Sequence, residues 1–509
     1  MRRRPATPRR LRAVVALAAL AALAAGAAAR PAAAQPIAKH PRELRYPPLA
    51  FEVPRAEEHR HTLSSGVVVY VFEDHKLPLV DVVLHSRVGY YLDAPEDFGV
   101  GSFTGSMLRL GGAGDWTAEQ LDERADFLAA NLGSGTGLTS TASVDCLTTA
   151  LGDCLDLLFT MVQRPRFQQS RIDVEKGKIL EALKQRNDDP GSILDREWGW
   201  LLRGPDHFSA RKHTGATVAA LDRDDLVAFH RRWWGPEGIV VAVAGDVETE
   251  DIVAELERRF AAWPKAEGGA VPWPPPAPAH EPKPGLYHVE KDIPQGRVRL
   301  GQLARQWDAQ WSDPQAFAAL VMNDILGGGG FTSRITQRIR SDEGLAYSAG
   351  SGYSVGTFWP GEFQVFFQSK NETVAYAAKI ALDEIRRMQQ APPTEEELRI
   401  SKGSFVESFP RGFDSPTSTA NRFASDDVLG RPHEYWYRYR ERISAVTPEQ
   451  VQQAARDDLH PDRLVVLTVG PWAQIAAGDP QGRAKVETLG LPPVVQLPVR
   501  DPVTLEPKP

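Results

Sequence analysis

VAALDRDDLVAFHRRWWGPEGIVVAVAGD (residues 218–246) and ISAVTPEQVQQAARDDLHPDRLVVLTVGP (residues 443–471) align without a gap, and this repetition decides how the chain is organised. Each copy reads as a helix opened by a capping residue, Asp222 in the first and Thr447 followed by Pro448 in the second. Their side-chain oxygens can satisfy first-turn N–H groups, and proline fits the first helical position. A turn follows at Gly235-Pro236 or His460-Pro461. Then comes an apolar run, Ile239 to Ala244 or Leu464 to Val469, with the length of a buried strand. A second correspondence sets LPLVDVVLHSRVG after Lys76 against IPQGRVRLGQL after Asp292, and Leu110-Gly111-Gly112 against Leu326-Gly327-Gly328. Two homologous halves account for both matches.

Between the copies, residues 263–285 (WPKAEGGAVPWPPPAPAHEPKPG) are dominated by Pro, Gly and Ala. Such a composition predicts an extended, semi-rigid linker. This sets an N-terminal domain at 45–262, a C-terminal domain at 286–475 and a Pro-rich tail at 476–509, which either lies extended over the surface or a partner or is disordered. In the first half, strands are expected at 66–73, 77–88 and near 137–148. Helices are expected at about 99–110, 118–131 (with a Thr117/Gln120 capping box), 152–163 and 171–187. Consecutive strands and consecutive helices point to an α+β fold: two homologous α/β halves, each with helices packed on a mainly antiparallel sheet.

Of the 509 residues, 42% are hydrophobic and 25% charged, enough apolar material for more than one core. A net charge of -7 with no later basic block argues against a nucleic-acid partner. The opening MRRRPATPRRLR, the apolar AVVALAALAALAAGAAA and the small residues around Ala34 have the layout of an export signal over residues 1–34. A retained anchor is the rival reading, and Arg9-Arg10 offers a weak twin-arginine address. No later segment reads as a membrane span, so a periplasmic or secreted protein is expected. Cys146 and Cys154 can either pair in an oxidising compartment or serve as buried free thiols.

Three motifs in order carry a family resemblance: YYLDAPEDFGVGSFTGSMLRLGG, DDLVAFHRRWWGPEGIVVAVAGDV and LGGGGFTSRITQRIRSDEGLAYSAGSGY. Over roughly residues 60 to 475 the chain resembles the insulinase/pitrilysin family of zinc peptidases, which includes the mitochondrial processing peptidase. The resemblance implies an inverted zinc motif, His-x-x-Glu-His, on the first helix of the first half. There two histidines on one helical face bind the metal and the glutamate activates water. Here Ser102 and Ser106 stand at the histidine positions, Gly105 at the glutamate, and Ala182 at the distal glutamate ligand. Glu175 is retained in that distal pair, and Glu181 is one residue, about 100°, out of register. Serine hydroxyls are poor zinc ligands beside imidazole and carboxylate, so no catalytic residue and no cofactor are expected in this chain. His59, His61 and His75 have no metal-ligand spacing and read as exposed or hydrogen-bonded.

GGGGFTSRITQRIRSDEGLAY (327–347) raises the question of a phosphate cradle, but the glycines follow a helix and no lysine closes the loop. They are expected to stop one helix and reverse the chain, with Ser333 capping the next. Taken alone, Arg340 and Tyr347 read as a surface ion pair and a packed strand residue. The resemblance instead implies a substrate-binding pair that faces a zinc site: the guanidinium grips a peptide carbonyl and the phenol donates to the oxyanion. It further implies a non-catalytic subunit whose partner is a catalytic insulinase-like chain carrying His-x-x-Glu-His and the zinc, with a peptide as substrate. A scaffold of the same fold without peptidase role, and an active zinc peptidase with atypical ligands, are the alternatives.

Overall fold

The computed structural model describes His40, Leu44 and residues 50–508. The export signal expected at 1–34 lies outside the described residues. The first six strands are β1 (Arg60–Thr62), β2 (Val68–Glu73), β3 (Leu79–Ser86), β4 (Asn131–Thr136), β5 (Ser140–Leu147) and β6 (Val240–Gly245), in the spatial order β1-β2-β6-β3-β5-β4. A second sheet uses β7 (Gly285–Glu290), β8 (Gln295–Leu303), β9 (Ala349–Ser354), β10 (Glu362–Lys370), β11 (Val465–Gly470) and β12 (Val495–Leu497), in the order β12-β7-β11-β8-β10-β9. The two orders superimpose strand for strand from β2/β7 to β4/β9. In both, the single parallel pair of the shared order joins the central strand to its neighbour, Val68 opposite Val240 and Gly285 opposite Val465. The remaining pairs of the shared order are antiparallel, as expected of the fold class.

The apolar runs that announce the repeat become β6 and β11, and the register explains why they do not alternate with polar residues. In the first sheet Val69, Val71, Val241 and Val243 face the helices of their own half: Val100–Leu110, Leu151–Gln163, Arg223–Trp233 and Thr249–Ala261. Tyr70, Phe72, Val240, Ala242 and Ala244 point to the opposite face. That face is covered by the other half: Ala420, Phe423, Ala424 and Val428 of the helix Pro416–Leu429, with Phe409 and Phe413 just before it. The exchange is reciprocal. Ile193, Leu194, Trp198 and Leu202 of the helix Pro190–Arg203 pack on Val289, Val465, Leu467 and Val469 of the second sheet. Each central strand is therefore buried on both faces, and each half supplies the helix that covers the other.

Polar contacts pin the same junction. Asp427 accepts from the Tyr70 hydroxyl at 3.0 Å and from Arg60 at 3.3 Å, with the His433 ring 3.4 Å away. Thr417 donates to Asp81 and His85 bonds Asn421, both at 2.8 Å. Burial disfavours a charged His433, but the hydrogen bond and field of Asp427, with Asp426 and Glu57, outweigh it and raise the imidazole pKa above 6.5.

One helix departs from the sequence reading, and the linker and tail prove to be held by specific contacts. The helix expected at 118–131 ends at Phe127, capped at its start by the expected Thr117/Gln120 box. Ala129 then adopts a positive φ of 50°, and NLGSGT becomes β4. Its Gly and Ser residues have little intrinsic strand preference; the pairing of Asn131 through Thr136 with β5 makes it a strand. The segment 263–285 is anchored: Trp263 and Ala266 are buried, and the Trp273 ring packs on Tyr91 and Phe358. The segment 476–509 supplies β12, buries Leu489 in the second core, and sets Arg500 on Glu197 at 3.2 Å. Cys146 and Cys154 are both buried free thiols. No helix among the described residues is long and apolar enough to cross a membrane.

Truncation of Phe423, fully buried between the halves, is expected to cost about 3–5 kcal/mol in Phe423→Ala, measured by urea denaturation. Because the folded-state pKa of His433 is raised, its contribution is complete below about pH 6.5 and is lost as pH rises through the folded value. Denaturation midpoints of the wild type are thus expected to fall over that interval, and those of His433→Gln to be flatter.

Candidate functional site

The helix Val100–Leu110 carries the positions at which the resemblance places the metal motif. Gly99 starts it at φ +104°, and the half-buried Asp93 carboxylate accepts from the backbone N–H of Gly99 at 2.8 Å and of Gly101 at 2.7 Å. Burial pushes the Asp93 pKa up to about 6 against the opposing pull of those two bonds. On the helix, Ser102 donates to the Gly99 carbonyl at 3.1 Å and the exposed Ser106 to the Ser102 carbonyl at 3.2 Å, so both hydroxyls bond their own backbone. Gly105 is buried against β4. A Cβ there would lie 2.1 Å from Thr136 Oγ1 and 2.7 Å from the Thr136 backbone nitrogen, while Ser134 donates to the Gly105 carbonyl at 2.7 Å. The strand has closed onto the place where an acid side chain would start.

Ala182 lies exposed on another helix, Gln169–Lys184. Its neighbour Glu181 pairs with Lys184 at 2.6 Å, and Glu175 pairs with Lys178 at 2.5 Å. Among the described residues no group of three or more His, Cys, Asp or Glu side chains is placed to hold a metal ion. Two backbone-bonded hydroxyls, a glycine under steric contact and an alanine do not fit zinc. Of the histidines weighed in the sequence, His59 meets the Val71 carbonyl at 3.1 Å and His75 meets Asp246 at 2.7 Å.

In the second half, the helix Pro314–Asn323 runs into a wider turn over Asp324–Gly328 and then the glycine run. The glycines serve close approach and chain reversal. A Cβ on Gly327 would lie 2.6 Å from the Ser351 backbone nitrogen in β9, and Gly330 has φ +64°. Ser333 holds an N-cap backbone conformation before the turn Arg334–Thr336, yet its side chain does not cap. Its hydroxyl instead donates to the Gly330 carbonyl at 2.6 Å, with Thr336 Oγ1 3.0 Å away.

Arg340 follows in the turn Gln337–Asp342, and its Cζ lies 4.5 Å from the Tyr347 ring centroid and 4.4 Å from that of Phe331. Tyr347 is 84% exposed and Phe331 65%. Among the described residues Arg340 has no ion-pair partner and the Tyr347 hydroxyl no hydrogen bond, so neither is the surface ion pair or packed strand residue of the plain reading. The structure thus brings Arg340 and Tyr347 together and sets Ser102, Gly105 and Ser106 on one helix. No hydrogen bond, ion pair or ring contact joins either group to the other or to Ala182. Sequence reasoning missed Phe331 and Thr136. An aromatic residue directly after a glycine run was a usable signal for the first; nothing local marked the second.

The duplicated α/β architecture, with the half-buried Arg340 against the exposed Tyr347 in its second half, has counterparts among known proteins. The sequence profile of the peptidase M16 inactive domain matches residues 220–404. An uncharacterized zinc protease of Mycobacterium leprae is 30% identical over 348 residues, covering 63% of this chain and 70% of that protein. The crystal structure of the peptidase M16 inactive domain from Pseudomonas fluorescens superposes with a TM-score of 0.72 at 25% identity, over 81% of this chain and 98% of that one. The periplasmic protease PqqL from Escherichia coli shares the fold, with a TM-score of 0.68 at 15% identity over 88% of this chain and 52% of that one. The chain belongs to the M16, insulinase-like, peptidase family.

Gly105→Ala is expected to destabilise the protein by about 1–3 kcal/mol despite the better helix propensity of alanine, since β4 must move. The triple replacement Ser102→His, Gly105→Glu, Ser106→His is expected to leave the purified chain without stoichiometric zinc, read by metal analysis.

Proposed function

We propose that this chain is the non-catalytic, substrate-binding subunit of an exported zinc metallopeptidase complex acting on peptides or unfolded polypeptides. The observation that carries the reading is an asymmetry. The half-buried Arg340 and the exposed Tyr347 carry donors with no hydrogen-bond or ion-pair partner among the described residues, while Ser102, Gly105, Ser106 and Ala182 offer no ligand set. Unused charged donors at a surface suit a bound carbonyl or a developing oxyanion. The zinc and the base then belong to a partner with His-x-x-Glu-His.

In this reading Tyr347 lies two residues before β9, whose one partner in the sheet is β10, so an extended peptide can add along the free edge and pass the pair. The basic and then apolar opening of the sequence supports export.

The purified chain is expected to be inert towards a fluorogenic peptide and to raise the rate of a zinc-bearing partner. Arg340→Ala should lower the partnered rate about ten- to a hundredfold, the loss of a charge-assisted hydrogen bond. A partnered rate unchanged in both Arg340→Ala and Tyr347→Phe would leave a scaffold in its place.

A further inference from the structure

We infer that Phe331 is a positioning residue for Arg340: its ring fixes the guanidinium on the rigid glycine turn and leaves the in-plane N–H groups free for an extended peptide's carbonyl. The inference rests on the reading of Arg340 as a peptide-gripping group. A phenylalanine this exposed is normally explained by packing at its base, yet Phe331 takes no part in either of the large cores, and the Arg340 guanidinium is its ring contact among the described residues. Arg340 touches the rings of both Phe331 and Tyr347, which make no ring contact with each other, so the cation joins two separately mounted aromatics.

The mounting on the Phe331 side is stiff. Phe331 sits at the middle of the turn Gly330–Thr332, which is tied by Thr332 Oγ1 to the Gly329 carbonyl at 3.2 Å and by Ser333 Oγ to the Gly330 carbonyl at 2.6 Å. Gly327 seats the start of the loop on β9. A guanidinium held over a ring face keeps its donors at the edge, in the plane, where carbonyl oxygens approach. An unsupported arginine would lose rotamer freedom on gripping a peptide, and one already held against two rings has less to lose.

The test measures binding of a fluorescein-labelled, unstructured decapeptide of mixed sequence to the full chain by fluorescence anisotropy. Phe331→Ala is expected to weaken binding about two- to fivefold, the range of an exposed cation–π contact. Phe331→Tyr should bind like the wild type, and Phe331→Ala should add nothing in an Arg340→Ala background. Phe331 is exposed, so matched thermal melts are expected for all variants. Undiminished binding by Phe331→Ala while Arg340→Ala binds weakly overturns the positioning role alone. So does an equal loss in the Arg340→Ala background, which would make the ring a direct peptide contact. A wild type that binds the probe no better than Arg340→Ala overturns the reading of the site, and the inference with it.

Discussion

The central strands β6 and β11 cannot be solvated on either face, and the rest of the molecule is arranged around that constraint. Val240, Ala242 and Ala244 on one strand, and Val465, Leu467 and Val469 on the other, point away from the helices of their own half. Left bare, each would expose a contiguous apolar patch of the kind folded proteins do not leave to water. The helices Pro190–Arg203 and Pro416–Leu429 cross over to cover them. The halves are consequently not independent beads on a linker. Each lacks one layer of its own core and takes it from the other, which accounts for the anchoring of segment 263–285 and for the tail being drawn in as β12.

In the first half, packing leaves no room for a side chain at position 105. Once glycine occupies position 105, the strand β4 can approach until Thr136 fills the room a side chain would need. The space beside Gly105 is filled by packing, and the hydroxyls of Ser102 and Ser106 bond their own helix backbone. Close-packed interiors do not keep vacancies for side chains that are absent. In the second half the reverse holds: a half-buried cation lies against two exposed rings, although burial would favour those rings and pairing would satisfy the cation. That local cost is tolerated in water only because the donors remain solvated.

The duplication, the two central strands and the capped helices after Asp222 and Thr447 were legible in the sequence, because each is a local pattern: a repeat, an apolar run, a cap. The edge strands β4 and β9 were not legible, since NLGSGT and AGSGYS become strands only by pairing with β5 and β10. Likewise Ser333 looks like a cap in sequence, yet its side chain makes no cap bond and its hydroxyl donates back to the Gly330 carbonyl across the reversal.

The amino-acid order by itself determined the repeat, the central strands and the helix starts, because apolar runs and capping residues are local patterns. Only the tertiary structure decided which helix covers which sheet, that Thr136 stands against Gly105, and that Phe331 and Tyr347 meet at Arg340. Those are contacts between segments remote in sequence or separated by a tight reversal, and no local periodicity encodes which surface an apolar face will find.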